Sequence, residues 1–249
     1  MIDTMWLVQV DPTSLTVAAG LFTLVLSSVH LLADRLQFPG RWQRWWLSAA
    51  GGVSVAYVFI LLLPEVSEAA AITGTLRGEA FLAEQLLYVA ALLGFVVFYG
   101  VEVFVTQRRK TAAEDTPGVF WFHVVVFTLY SALIGYLLFH QEVETLANLV
   151  LYALAMVLHF LVTDYGLSRH HGEAFHRRAR WVLAAGTLVG GVLGVTVDGA
   201  RLGLTLLYGF VAGAIVLNVI KEELPQVDQN RFLAFVVGVF LYTVVLLLV

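Results

Sequence analysis

Long apolar runs separated by short polar connections dominate the chain. A helix needs about 20 mostly apolar residues to cross the hydrocarbon core of a bilayer. Eight runs are predicted to do so, and they cover residues 15–33, 47–63, 82–105, 121–139, 146–167, 181–197, 203–219 and 232–249. Because these runs do not alternate residue by residue, they favour helices over the strands of an outer-membrane barrel. The pattern predicts an all-α polytopic membrane protein with eight transmembrane helices, in which residues 1–249 form a single domain.

The composition agrees with this reading. Hydrophobic residues make up 60% of the chain and charged residues only 13%, about half the charged fraction of an average soluble domain. This excludes a soluble enzyme, a nucleic-acid-binding protein and a disordered protein. The chain has no cysteine, so it has no disulfides, thiolate metal sites or cysteine nucleophiles.

Basic residues predict how the helices face. Twelve of the 14 lysines and arginines lie in the connections after spans 1, 3, 5 and 7, and only Arg77 and Arg201 lie on the other side. The positive-inside rule places the basic connections in the cytoplasm. We therefore expect a multi-pass protein of the cell membrane with both termini outside. The N-terminus lacks the positive region of a signal peptide, so the first run is expected to remain as a helix.

An internal repeat relates the second and seventh spans. GVSVAYVFILLLPEV (52–66) and GAIVLNVIKEELPQV (213–227) align without gaps, with Gly52 on Gly213 and Pro64 on Pro225. The two segments run in opposite directions, as inverted repeats of secondary transporters do. We predict an inverted repeat of spans 1–3 and 6–8 around central spans 4 and 5, with each proline ending its helix. Alternatively, helices rich in valine and leucine resemble each other by chance.

Ionisable residues inside a membrane span are expensive and point to function. The fifth span carries His159 and Asp164, which suit Zn²⁺ or a similar ion as ligands. Five residues rotate a helix by about 500°, so the two side chains point about 140° apart. They converge only if the helix is distorted, or else each meets a partner on another helix. The structural alternative is a buried His159 bonded to Ser or Tyr, with Asp164 near the membrane interface.

Other polar residues near the spans suggest structural roles. His30 and Asp34 share one helix face and predict an ion pair at the helix end. Glu102 lies one turn before Gln107 and Arg108 and is expected to pair with that basic cluster. Asn218 is expected to bond across helices.

Several stretches resemble the ZIP family of divalent-metal transporters. AGGVSVAYVFILLLPE (50–65) is similar to that family's second helix, LLGFVVFYGVE (92–102) to its third and GFVAGAIVLNVIKEELPQ (209–226) to its seventh. The resemblance covers nearly the whole chain and implies inward transport of a divalent cation by alternating access.

The chain departs from the family in its metal-binding motifs. The fourth helix of the family usually carries His-Asn-x-x-Asp-Gly, whereas VFTLYSALIG (126–135) keeps only the glycine. The fifth usually carries His-Glu-x-Pro-His-Glu-x-Gly, and HFLVTDYG (159–166) keeps the first histidine and the glycine, with Asp164 in place of the last glutamate. The resemblance then implies at most a reduced site, made by His159, Asp164 and either Ser131 or His123.

Three functions are consistent with these residues. The first, which we favour, is a ZIP-like transporter of Zn²⁺ or another divalent cation with a reduced site between the fourth and fifth helices. The second is the same fold without metal transport, acting as a scaffold or carrying another solute. The third is an intramembrane metal-dependent hydrolase, for which Ser131, His123, His159 and Asp164 supply some of the groups.

We expect no enzymatic activity and no cofactor other than a transported metal ion such as zinc. The lipid bilayer is the expected partner, a divalent metal ion and a homodimer are possible ones, and nucleic acid is not expected.

Overall fold

The computed structural model of the chain describes residues 11–32, 41–77, 80–111, 117–141, 145–223 and 229–248, and every regular element in them is helical. The α-helices are α1 (Pro12–Leu32), α2 (Arg41–Tyr57), α3 (Leu63–Arg77), α4 (Ala80–Thr111), α5 (Pro117–Leu137), α6 (Leu146–His171), α7 (Arg180–Thr196), α8 (Arg201–Glu223) and α9 (Gln229–Leu248). The predicted all-α fold is therefore confirmed.

Seven helical stretches are long and apolar enough to cross a membrane. They include α2, which continues into α3, so that the second apolar stretch runs from Trp42 to Glu68. The apolar part of α9 is shorter and covers Phe232–Leu248. This is the architecture of a multi-pass membrane protein.

A π-helical turn joins α2 to α3. In this turn, Val58–Leu62, the N–H of Leu63 bonds the carbonyl of Val58, five residues earlier. The prediction that Pro64 ends its helix was wrong, because α3 runs on to Arg77. Proline lacks an N–H and clashes with the carbonyl four residues before it, and a widened turn before the ring relieves both problems. Pro225 and Asp34 lie outside the described residues.

The helices pack as two bundles. The first bundle consists of α1, α5, α6 and α7, and the second of α2, α3, α4, α8 and α9. Helix α6 packs between the bundles, because its contact with α2 is at least as extensive as its contact with α1, while its side chains bond residues of α1 and α5. Each bundle draws helices from both halves of the chain.

Glycines bring the helices of the second bundle into backbone contact. The α2–α9 and α4–α8 pairs share one arrangement, in which each helix contributes one glycine. That glycine faces a backbone carbonyl of the partner helix, and the carbonyl belongs to the residue three positions before the partner's own glycine. The four pairs are Gly52–Phe235, Gly238–Ala49, Gly213–Ala91 and Gly94–Phe210. A Cβ atom on any of these glycines would overlap the carbonyl oxygen, so only glycine allows this approach.

Polar contacts at the two ends of α6 fix the directions of α3 and α8. Near its start, Asn148 Nδ2 donates to Glu65 Oε1 of α3 at 2.8 Å. Near its end, His170 lies 3.7 Å from Glu102, which lies 3.0 Å from Lys221 of α8. These contacts are about 33 Å apart along the helix, at 1.5 Å per residue. The helix through α2 and α3 and helix α8 therefore run in opposite directions.

Candidate functional site

The most deeply buried charged group of the first bundle is Asp164 on α6. It is completely buried and faces His30 of α1, which is 1% exposed. The Nδ1–H of His30 donates to the two carboxylate oxygens, at 3.0 and 2.9 Å. The partner predicted for His30 was Asp34, but in the structure it is Asp164 on another helix.

Thr187 of α7 completes this arrangement. Its hydroxyl donates to the carbonyl of Leu183 at 3.2 Å, and its oxygen lies 3.2 Å from His30 Nε2. Through this hydroxyl, Thr187 of α7 joins the His30–Asp164 pair, which itself links α1 and α6.

His159 lies one turn from Asp164 but has different partners. It is completely buried, and its Nε2 lies 2.8 Å from the hydroxyl of Tyr130 on α5 and 3.4 Å from that of Thr163. This is the predicted structural alternative, a buried histidine bonded to a tyrosine. Because α6 is a regular helix here, His159 and Asp164 do not converge, and each meets its own partner on another helix.

Asn218 of α8 also reaches Tyr130. Its side chain is 3% exposed and interacts with the Tyr130 hydroxyl from the second bundle. The Nδ1 atom of His159 has no hydrogen-bond partner among the described residues.

Phe160 separates the two histidines of this region. Its ring centroid lies 4.4 Å from that of His30 and 6.3 Å from that of His159. The polar groups of the first bundle thus form two neighbouring sites, the His30–Asp164 pair and the Tyr130–His159 pair, with an aromatic ring between them.

Ser131 and His123, the remaining predicted ligands, are both buried. The Ser131 hydroxyl donates to the Phe127 carbonyl of its own helix at 2.9 Å. His123 Nδ1 lies 2.9 Å from His171 Nε2. Among the residues that the structure describes, no three His, Asp or Glu side chains are grouped to hold a metal ion.

A second charged cluster lies where α4, α6 and α8 end. The Glu102 carboxylate accepts from the Thr106 hydroxyl at 3.1 Å and contacts Lys221 and His170. The Lys221 ammonium also lies 5.3 Å from the centroid of the Phe127 ring. The sequence places Glu102 near a basic cluster on its own helix, but the ion-pair partners described above, His170 and Lys221, belong to α6 and α8.

Sequence reasoning missed Tyr130 and the pairing of His30 with Asp164. A usable signal for the pairing existed, since His30 and Asp164 are ionisable residues in apolar runs and both lie toward the predicted cytoplasmic side. Tyr130 gave no such signal, because a tyrosine in an apolar run is ordinary.

The chain matches no protein-family model and no curated protein. The resemblance to the ZIP family therefore stays a prediction.

Proposed function

We propose that this protein is a secondary membrane transporter with a ZIP-like arrangement of helices. The observation that carries the proposal is the buried polar core of the first bundle, with the ionisable groups of His30, His159 and Asp164 inside membrane-spanning helices. Such groups are costly in a bilayer and mark solute or ion pathways in membrane proteins.

The glycine contacts support an inverted repeat. The α2–α9 and α4–α8 pairs have the same glycine arrangement, and α3 and α8 extend to opposite ends of α6. A twofold rotation about an axis in the membrane plane would superimpose the α2–α9 pair on the α8–α4 pair, as in transporters built from inverted repeats. These contacts match Gly94 with Gly238. A fainter sequence similarity between the third and eighth spans, LGFVV (93–97) to LAFVV (233–237), would instead match Gly94 with Ala234, one helical turn earlier.

Movement of the first bundle against the second is the proposed form of alternating access. At one end the hydroxyls of Tyr208 and Tyr242 donate across the boundary to the carbonyls of Leu137, at 2.8 Å, and Leu151, at 2.7 Å. At the other end Glu102 and His170 meet across it. These contacts, with the Asn148–Glu65 hydrogen bond between α6 and α3, are among those that such a movement would exchange. The basic residues in the connections near the Glu102 end support a cytoplasmic location for that end, with both termini outside.

A divalent cation is the substrate that the ZIP resemblance implies. Its specific support is that His159 and Asp164 stand where that family has ligands, although each would have to leave its present partner. Zinc uptake into proteoliposomes tests this substrate, with His159→Ala, Asp164→Ala and, as a control, Leu129→Ala, which is 63% exposed.

Loss of zinc uptake in the first two variants alone would support the cation. Equal uptake by wild type and all three variants would show that neither His159 nor Asp164 lies on the path of zinc. If zinc enters proteoliposomes no faster than empty liposomes, the cation proposal fails, and a scaffold role or transport of another solute takes its place.

A further inference from the structure

Exposed arginines are concentrated where α6 ends and α7 begins. Arg169 lies in the last turn of α6, and Arg177 and Arg178 lie in a second π-helical turn, Phe175–Ala179, that directly precedes α7. All three side chains are exposed. We call these three residues the basic surface.

The local structure directs the basic surface outward and keeps its two parts together. Phe175 and Ala179 of the π-helical turn are 1% and 0% exposed, so the two arginines between them point away from the first bundle. The Ser168 hydroxyl oxygen lies 3.3 Å from His176 Nε2. Because each of these two residues directly precedes an arginine of the basic surface, this contact holds the turn and the end of α6 side by side.

The basic surface carries more positive charge than the described acidic side chains balance. Glu173 pairs with Arg177 at 2.7 Å. Within the described residues, neither Arg169 nor Arg178 has a carboxylate at ion-pair distance. Two exposed guanidinium groups are therefore left for anions from outside the described chain.

Aromatic side chains indicate how deep these arginines lie in the membrane. The guanidinium carbon of Arg169 lies 5.8 Å from the centroid of the Tyr165 ring, and that of Arg180 lies 5.6 Å from the centroid of the Trp181 ring. Tyrosine and tryptophan are enriched where the membrane meets water. An arginine there rests its stem on apolar surface and extends its charge to the headgroups. We therefore expect the basic surface at the depth of the lipid phosphates.

We propose that the basic surface binds the headgroup phosphates of anionic phospholipids, such as phosphatidylglycerol, and anchors the connection between α6 and α7 to the membrane. A guanidinium group donates paired hydrogen bonds to a phosphate, and basic clusters at the end of a membrane-spanning helix attract anionic lipids. This binding does not require that the protein transports a solute, so it goes beyond the proposed function.

Thermal unfolding in a neutral detergent, at increasing concentrations of dioctanoyl-phosphatidylglycerol, measures this binding. Dioctanoyl-phosphatidylcholine is the lipid control, because it has the same chains and phosphate but no net charge. The double variant Arg169→Gln/Arg178→Gln removes the two arginines that lack a carboxylate. Arg201→Gln is the matched control, because this arginine is also exposed but lies where α8 begins, at the opposite end of that helix from Lys221 and the basic surface.

We expect phosphatidylglycerol to raise the melting temperature of wild type and Arg201→Gln more than phosphatidylcholine does. Each arginine near an anionic lipid should strengthen binding about fivefold. The double glutamine variant should therefore need about tenfold more phosphatidylglycerol, or more, for the same rise above its own lipid-free melting temperature. Arg169→Lys/Arg178→Lys keeps the charge and should keep more of the response than the glutamine variant.

Two kinds of result would overturn the proposal. The surface is wrong if the double glutamine variant responds to phosphatidylglycerol like wild type, or if Arg201→Gln loses as much of the response. The ligand is wrong if the two lipids act alike, or if inorganic phosphate at the same concentration raises the melting temperature as much as phosphatidylglycerol, because the surface would then bind free anions.

Discussion

His30 and Asp164 form a buried polar link between helices α1 and α6 of the first bundle. Each is almost completely buried, and each supplies what the other needs, a donor on the ring and two acceptor oxygens on the carboxylate. Thr187 adds the third helix to the pair. In hydrocarbon no water replaces a lost partner, so the pair holds α1, α6 and α7 in one register.

Replacing only one residue of this pair should cost more stability per substitution than replacing both. His30→Leu leaves a buried carboxylate without its partner, which in proteins destabilises by about 3–5 kcal/mol. The double variant His30→Leu/Asp164→Leu removes both polar groups and should be less destabilised than the sum of the two single variants. Thermal unfolding in detergent, followed by the fluorescence of the 6 tryptophans, measures all four proteins. Additive losses would mean that the two residues do not interact.

At this scale the sequence predicted which residues matter but not what they contact. The 140° between His159 and Asp164 follows from helix geometry, and the structure confirms that they face different helices. Which helices those are depends on how the bundle packs, and that packing is set by small residues spread along the chain. The same limit applies to His30. Sequence spacing reveals only partners on the same helix, and it therefore indicates Asp34 and not Asp164.

At the scale of elements, close helix pairs depend on glycine. The backbone of α8 at Gly213 lies against the Ala91 carbonyl of α4 with no room for a Cβ atom. Without a hydrophobic driving force between helices in lipid, this approach supplies much of the packing energy.

Gly213→Ala should therefore lower the melting temperature in detergent, by a loss of about 1–3 kcal/mol of stability from overpacking. Gly100→Ala on α4 is the matched control, because nothing lies within 4 Å of a Cβ atom there. The control should melt like wild type. Equal melting of both variants would show that the contact at Gly213 does not hold the α4–α8 pair.

Apolar runs predict elements well because every membrane-spanning helix needs nearly the same length of apolar chain. Seven of the predicted spans correspond to helices that meet this requirement, while the eighth corresponds to the shorter apolar stretch of α9. The continuation through Pro64 could not be predicted, because a π-helical turn depends on the local hydrogen bonds and has no composition of its own.

At the scale of the whole molecule, the division into two bundles is the feature furthest from the sequence. Order along the chain groups spans 1–3 and 6–8, but contacts group α1 with α5, α6 and α7. The proposed inverted repeat would account for the difference, because corresponding helices of the two halves would then enter each bundle together. The division also places the contact of Tyr130 with Asn218 on the boundary between bundles.

The two bundles are proposed to move relative to each other, and distances between spin labels measure such a movement. The chain has no cysteine, so labels are placed on Arg44→Cys of α2 and Arg177→Cys between α6 and α7, one in each bundle. Arg44→Cys with Phe232→Cys of α9 is the control within the second bundle. In liposomes, pulsed electron resonance should give two distances for the first pair and one narrow distance for the control. A single narrow distance for both pairs, unchanged by zinc, would contradict relative movement of the bundles.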